Sequence, residues 1–459
     1  MTLPAQLRID HLSLHNFRCF ADCAIELHPE LVVLIAENGG GKTAILDAMR
    51  IALGLFVDTI ASTHQSHGFD RTDVRLVHGE SGLMDPALPT QFVADGFVVG
   101  HAIQWSRARN GYTLRSRTNT KDAESLRQAA TQLRQGVEDY GAVENGDPTT
   151  LPLVAYYGTG RLWSEQPLSL GKARYARSAN GRFDGYAECL SLVSSFKGLA
   201  SWYADQASEI RDPKFSVDLS KNLRLHAAVK EAMRVVLEPT RWKDLDWDFE
   251  GKSLMIQHPE HGRLPLSALS DGVRNTIALI VDIARRCATL NPHLGDAAAL
   301  QTPGVLLIDE VDMHLHPRWQ QLIIGLLQKA FPALQMILST HSPHVLSTVD
   351  VASVRVITLD HGHGELKVPT FQTRGVESAD ILAKVMGVDP VPQVEEARWL
   401  SDYRAMVQEA EYDSPAARLL WEKLVIHFGK NHPVLTEVDT LRRLQAFKLA
   451  NKIQPHEGS

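Results

Sequence analysis

The sequence predicts an α/β protein in which an open, mixed sheet flanked by helices presents its chemistry at the ends of its strands. Two observations predict it. The apolar run Leu31 to Ile35 feeds a glycine-rich turn and then a helical pattern, which is the strand-turn-helix order of such a sheet. Two later apolar runs, Val305 to Ile308 and Gln335 to Leu338, each end in polar residues able to do chemistry. In open α/β sheets ligands gather outside the carboxyl ends of the strands.

The elements follow in order. Apolar residues recur from Leu7 to Leu14, and the turn after Ile35 opens a helix from Thr43 to Leu53, for which Gly54 is the stop signal. Between residues 60 and 150 the pattern is mixed, with a strand-like piece from Gln91 to Val99 and a helix from Lys121 to Tyr140. Pro152 to Tyr157 reads as a further buried strand. Helical patterns then run over Leu190 to Ile210 and Leu223 to Leu237, forming an inserted helical lobe. After about residue 370 the chain is helical: Asp380 to Met386, Val394 to Ala410, Ala416 to Phe428 with Ser414-Pro415 as its start signal, and Pro433 to Leu449. The expected organisation is a core in two parts, 1–160 and 266–370, an inserted lobe at 161–265 and a C-terminal helical bundle at 371–459. In the bundle, Trp399, Tyr403, Trp421 and Phe447 are apolar side chains free of any catalytic pattern, which suits either a docking face or packing among themselves.

A chain of 459 residues is long enough for two or three compact lobes. The net charge of -7 supplies no overall positive field to hold a monomer on DNA, so contact with nucleic acid must come from a local patch, an assembly or a partner. Cys19, Cys23, Cys189 and Cys287 have neither metal-site nor disulfide spacing and read as reduced small hydrophobes of a cytoplasmic protein. No stretch reaches the roughly 18 apolar residues of a membrane-spanning helix. No leader pattern opens the chain, and no long heptad array or fixed-period repeat interrupts it.

Four segments carry chemistry. Ala36-Glu37-Asn38-Gly39-Gly40-Gly41-Lys42-Thr43 joins strand to helix. Its glycines let backbone N–H groups curl around phosphates, Lys42 would reach the β- and γ-phosphates of ATP, and Thr43 would ligate Mg²⁺. Ala36 stands where that pattern has its first glycine. Asp309-Glu310 ends a buried strand: Asp309 could hold Mg²⁺ and Glu310 could orient or deprotonate an attacking water, although paired carboxylates also serve as solvated strand caps. Ser339-Thr340-His341-Ser342-Pro343 closes the next run, where the His341 imidazole could bond the γ-phosphate and its attacking water. Leu269-Ser270-Asp271-Gly272-Val273-Arg274 opens an amphipathic helix with apolar positions Val273, Ile277, Ile280, Val281 and Ala284. Ser270 and Gly272 offer a hydroxyl and bare N–H groups at its N-terminus, an anion site or a plain cap.

Together, and in this chain order, the four segments resemble the Walker A, signature, Walker B and switch-histidine motifs of the ABC ATPase superfamily. The opening Leu14-His15-Asn16-Phe17-Arg18-Cys19-Phe20 is similar to the start of its RecF/SMC-like branch, which makes Arg18 either a nucleotide contact or a surface arginine. The resemblance covers about residues 1–55 and 151–350 and implies an ABC-type core that binds and hydrolyses ATP with Mg²⁺. It further implies sites completed in trans within a homodimer or higher homo-oligomer. Val311 to Pro317 lies where the family has its D-loop; its His314 and His316 invite a metal reading, but no further ligands accompany them. Leu153 to Arg161 resembles the strand before the family's Q-loop, without an obvious glutamine. The segment VESADILAKVMGVD at 376–389, with the paired helices after it, resembles the tail of antiphage ATPases of the Septu and retron-associated kind.

That second resemblance implies a sensor or regulator that controls a partner nuclease, commonly of the HNH type, with contact to DNA or RNA and no membrane. No TOPRIM-like acidic cluster follows the core, which argues against the overcoming-lysogenization class. A RecF-like repair factor that clamps gapped or branched DNA is the alternative. A transporter subunit is a third reading, against which the Asn-Phe-Arg opening and the helical tail both count.

Overall fold

The computed structural model describes residues 7–62, 67–80, 82–140, 148–160, 181–191, 197–212, 219–238 and 241–453. The chain divides between Met386 and Gly387 into two compact units. In chain order the first unit begins with strands β1 (Leu7–Phe17), β2 (Phe20–Glu26) and β3 (Leu31–Ile35), helix α1 (Lys42–Ala61), and strands β4 (Leu76–His78), β5 (Met84–Pro86), β6 (Thr90–Val98) and β7 (His101–Arg109). Helix α2 (Glu124–Tyr140), strand β8 (Leu153–Tyr157), helices α3 (Lys197–Arg211) and α4 (Leu219–Leu237), and strands β9 (Lys243–Asp248), β10 (Ser253–His258) and β11 (Gly262–Pro265) follow. Next come α5 (Asp271–Leu290), α6 (Ala298–Gln301), β12 (Gly304–Ile308), α7 (Pro317–Gln320), α8 (Ile323–Ala330), β13 (Leu334–Ser339) and α9 (Pro343–Leu346). Strands β14 (Val354–Asp360) and β15 (His363–Lys367) and helix α10 (Ser378–Lys384) end the unit.

Among the described residues ten strands form one mixed sheet, in the order β7-β6-β1-β2-β15-β14-β3-β13-β12-β8. Strands β14, β3, β13, β12 and β8 run parallel to their neighbours in that series. The sequence explains this half: β3, β12, β13 and β8 are buried at every position, the pattern of parallel strands covered on both faces. Gln335 is a buried polar residue within β13. Its amide donates to the carbonyl of Ile9 at 2.7 Å and accepts from the Ile9 N–H at 2.9 Å, so the buried amide is satisfied while tying β13 to β1. In the other half β1 pairs antiparallel with β2 and β6, and β6 with β7, while β15 runs parallel to β2 and antiparallel to β14.

Helix α1 does not stop at Gly54 as the sequence suggests. It runs on to Ala61, and Gly54 is the point where another segment crosses it. A Cβ there would lie 2.4 Å from His67 Cβ and 2.7 Å from the His67 carbonyl oxygen. The Asp58 carboxylate, one turn on, accepts from the His67 N–H and imidazole. The glycine serves close approach, not termination.

The stretch expected as a helical lobe contains α3 and α4 and also a three-stranded antiparallel sheet, β9 to β11. The helical pattern begun at Leu190 is seen from Lys197, and residues 192–196 lie outside the described ones. Cys23, Cys189 and Cys287 are buried and no cysteine is in a disulfide. Burial pushes all three thiols up to about 12, the behaviour of inert core cysteines. No helix among the described residues is long and apolar enough to cross a membrane.

Helix α10 belongs to the first unit, where Ile381 and Val385 are buried in its core. The second unit holds α11 (Glu395–Gln408), α12 (Pro415–Phe428) and α13 (Pro433–Ile453). Ser414 caps α12 through the Ala417 N–H. Tyr403, Val407, Ala417, Leu424, Leu435 and Val438 form this unit's own core, with Trp399 and Trp421 packed on it. Tyr403 is thus buried, its ring 5.1 Å from that of Trp421, whereas Phe447 is 65% exposed.

Replacing Gly54 with alanine should destabilise the protein by about 1–3 kcal/mol through overpacking on His67, despite alanine's helix-propensity advantage of about 1 kcal/mol. Urea unfolding measures it, and a stability equal to or above the parent would contradict the crossing at Gly54.

Candidate nucleotide site

Three neighbouring parallel strands, β3, β13 and β12, deliver three of the four motifs to one edge. The registers that pair Leu34 with Ser339 and Leu338 with Ile308 keep the strand ends level. The glycine-rich loop leaves β3, His341 follows β13 and Asp309-Glu310 follows β12. Strand β8 continues the parallel set, and its Tyr157 carbonyl accepts from the Asp309 N–H at 2.9 Å.

The loop's glycines each have a geometric cause. Gly39 and Gly41 adopt φ of +78° and +94°, conformations that L side chains rarely take. A Cβ on Gly41 would also stand 2.3 Å from the Phe20 ring. One on Gly40 would come 2.7 Å from Cβ of Ala36, so the methyl at the loop's unusual first position is accommodated by the bare backbone of Gly40. Asn38 and Gly39 are exposed at the tip.

Lys42 begins α1 and is buried, its Nζ donating to the carbonyls of Ala36 at 2.9 Å and Glu37 at 3.2 Å. Burial lowers its pKa, while Asp309, Glu310 and Asp312 oppose that shift. The ammonium therefore waits beside the loop among carboxylates. Thr43 Oγ1 donates to Asp309 Oδ2 at 2.8 Å. Asp309 is 1% exposed, and its Oδ1 accepts from Ser339 Oγ at 2.5 Å. The same Ser339 hydroxyl oxygen accepts the Glu310 N–H at 2.7 Å, and Glu310 has a left-handed φ of +49°. Beyond it, Thr340 Oγ1 donates to the Asp312 carboxylate and accepts the Ser342 N–H, while Ser342 Oγ donates to Gln320. His341 is half-buried between these two residues.

The fourth motif starts α5. Ser270 is its exposed N-cap residue, whose hydroxyl makes no cap bond. Gly272 is buried, and a Cβ on it would lie 2.2 Å from the His314 carbonyl oxygen. The helix start is therefore seated on the segment that follows Glu310 in its own chain. Arg18 is engaged elsewhere: its guanidinium donates to Asp47 on α1 at 2.6 Å and to Asp73 at 2.8 and 3.0 Å.

His316 caps α7 by accepting the Arg318 N–H, and His314 is exposed with φ +61°. Among the described residues, the three side chains close enough to share a metal ion are instead His258, Glu260 and His261. There His258 Nδ1 accepts two backbone N–H groups, which places the proton on Nε2, and Glu260 pairs with Arg241. Those contacts fit the closure of the β10–β11 hairpin. The sequence reading missed Ser339, whose hydroxyl donates to the Asp309 carboxylate and accepts the Glu310 N–H, and the Thr340–Asp312 and Ser342–Gln320 pairs beyond them. A serine as the last residue of a buried apolar strand was the available signal.

Two sequence families match the chain, one described as an AAA domain over residues 11–212 and one as "AAA domain, putative AbiEii toxin, Type IV TA system" over residues 179–347. The Retron Ec83 probable ATPase of Escherichia coli is 25% identical, over 94% of this chain and 86% of that protein. The Retron Vc95 probable ATPase of Vibrio cholerae is 25% identical, over 89% and 85%. The chain is homologous to the retron ATPases. Septu protein PtuA of Bacillus thuringiensis is a further homologue, 29% identical over 29% of this chain and 35% of its own. The SMC head domain of Thermotoga maritima aligns over 79% of this chain and 99% of its own, at 14% identity and a TM-score of 0.42. The chain is an ATPase.

Ser339→Ala would strip one donor from buried Asp309 and leave the Glu310 N–H without its acceptor, each costing about 1–3 kcal/mol. ATP turnover should fall about tenfold or more and require more Mg²⁺. A Mg²⁺ titration of turnover checks this, and a parental curve would count against the bridging serine.

Proposed function

We propose that the chain is the ATP-driven sensor or regulator of an antiphage defence system, working as a homo-oligomer with composite ATP sites and controlling a partner nuclease of the HNH type. The observation that carries the composite site is the division of α5's start: Gly272 is packed into its own chain, while the neighbouring Ser270 is exposed with its hydroxyl uncapped. One face is committed and the other is open.

In this reading Lys42 and the backbone N–H groups of Asn38 to Gly41 hold the β- and γ-phosphates, the neighbouring helix N-terminus adding positive potential. The hydroxyl of Thr43 and the carboxylate of Asp309 are hard oxygen donors already in contact, a pairing suited to Mg²⁺. Mg²⁺ bound there would supply charge neutralisation at the phosphate oxygens. Glu310 accepts a proton from, or orients, the attacking water, and His341 holds that water and the γ-phosphate in line. Ser270 and Gly272 of a second copy close the site. The homology to retron ATPases and to Septu PtuA supports the defence setting, and the exposed stripe Leu441, Leu444 and Phe447 on α13 supports docking of the nuclease on the tail.

Glu310→Gln should bind ATP normally yet hydrolyse it at least about a hundredfold more slowly, so that ATP-loaded oligomers accumulate in sedimentation; parental turnover would remove Glu310 from the mechanism. Composite sites are tested by mixing Ser270→Arg with Lys42→Ala, each inactive alone. A mixed dimer holds one site with both defects and one with neither, and turnover should reappear at a minority of the parental rate. If turnover demands two sound sites, the Glu310→Gln protein should still oligomerise with ATP and lose that ability when Ser270→Arg is added. Full turnover by a strict monomer would overturn the composite site.

A further inference from the structure

The loop that leaves β7 is strongly cationic. From Arg107 to Lys121 there are five cations and no carboxylate, in a chain of net charge -7. Arg107 and Arg109 are buried and brace the loop from inside. Arg109 donates to the carbonyls of Gly111 at 3.0 Å, Thr113 at 2.9 Å and Phe69 at 2.9 Å. Arg107 donates to those of Ile51 and His67. The Thr113 and Ser116 hydroxyls meet at 2.9 Å across the turn, and Thr118 Oγ1 accepts the Phe69 N–H. The loop is thus fixed by its own hydrogen bonds.

What this scaffold displays is a cationic rim around an apolar tip. Leu114 is 89% exposed, and Arg115, Arg117 and Lys121 are exposed around it. Arg71 joins them, its guanidinium 4.1 Å above the Tyr112 ring. The nearest carboxylates on its own turn are already used, Asp73 by Arg18 and Asp70 within the turn's cap. Arg127 on Glu124, Arg134 on Glu138 and Arg234 on Glu231 each sit on a carboxylate. Arg115 and Arg117 have no such partner among the described residues.

We propose that the 110–121 loop is a binding site for single-stranded nucleic acid, with phosphates on Arg115, Arg117 and Lys121 and a base face against Leu114. Charge complementarity selects a polyanion. The exposed apolar tip selects one whose charge lies on the backbone and whose faces are free to pack. A rigid loop binds without the cost of ordering.

The test uses the full chain and fluorescence anisotropy with labelled oligothymidylate, a duplex, and vesicles of neutral and anionic lipid, over a range of salt. The parent should bind the single strand more tightly than the duplex, and the vesicles not at all. Arg115→Glu with Arg117→Glu should weaken single-strand binding about tenfold or more and lower the salt slope by about 1.4, two phosphate contacts' worth. Arg115→Lys with Arg117→Lys should keep both, and Leu114→Ser should weaken binding with the slope unchanged. ATP turnover without nucleic acid should be parental in all three variants, which certifies their fold and separates this proposal from the ATPase mechanism. Unaltered single-strand binding by the Glu pair, equal weakening by the Lys pair, parental binding by Leu114→Ser, or a parent that binds only duplex or only vesicles would each overturn it.

Discussion

The buried carboxylate of Asp309 sets the terms for the rest of the core. At 1% exposure its charge requires donors within reach, and they come from two other elements: Thr43 at the start of α1 and Ser339 at the end of β13. Satisfying it fixes three strand ends at one level and sets the first turn of α1 against β12. Lys42 shares the constraint, since its desolvation is offset by Asp309, Glu310 and Asp312. The left-handed backbone at Glu310 is tolerated because the Ser339 hydroxyl takes its N–H. Stability and the geometry of the candidate site therefore rest on the same few hydrogen bonds.

A second buried charge organises the helix that carries the signature segment. Asp282 on α5 accepts from Tyr157 Oη at 2.7 Å and from Arg285 and Arg286. These cations hold its pKa far below the usual carboxylate range against the opposing effect of burial. Tyr157 is also the residue whose carbonyl accepts the Asp309 N–H. One tyrosine on β8 thus contacts both the middle of α5 and the strand end that bears the two carboxylates.

The fully buried parallel strands and the glycine-lysine turn were legible because their signals are local: continuous apolar runs, glycine spacing, and polar residues at strand ends. The small three-stranded antiparallel sheet was less so. Strand β9, read within a helical lobe, buries only Leu245 and Trp247 among exposed charged residues, a period-two signal too short to outweigh its helical flanks. Gly54 was misread because a helix-crossing contact with His67 leaves no local trace. The tail's aromatics left docking and mutual packing open, because a small helical bundle buries aromatics at spacings that resemble an exposed face, and Tyr403 is packed. In the candidate site, sequence spacing marked Lys42, Thr43, Asp309 and Glu310 but said nothing of Ser339, whose importance comes from two bonds across β12. The motif around Arg18 leaves a nucleotide contact or a surface arginine open, and only the structure shows its guanidinium on Asp47 and Asp73.

The start of α5 faces two ways, and that arrangement bears on how neighbouring sites could influence one another. Gly272 lies so close to the His314 carbonyl that a side chain could not fit, and His314 is four residues beyond Glu310. Close-packed contacts of this kind transmit displacement because they cannot be compressed. An anion drawn to Ser270 from outside would pull on a helix whose next residues rest on the backbone that leads back to Glu310 and Asp312. The carboxylates proposed to act on one chain's own phosphates thus lie one packed contact from the surface through which a second chain would engage. Glycine at 272 is required on the inner side by space, whatever N–H it offers on the outer.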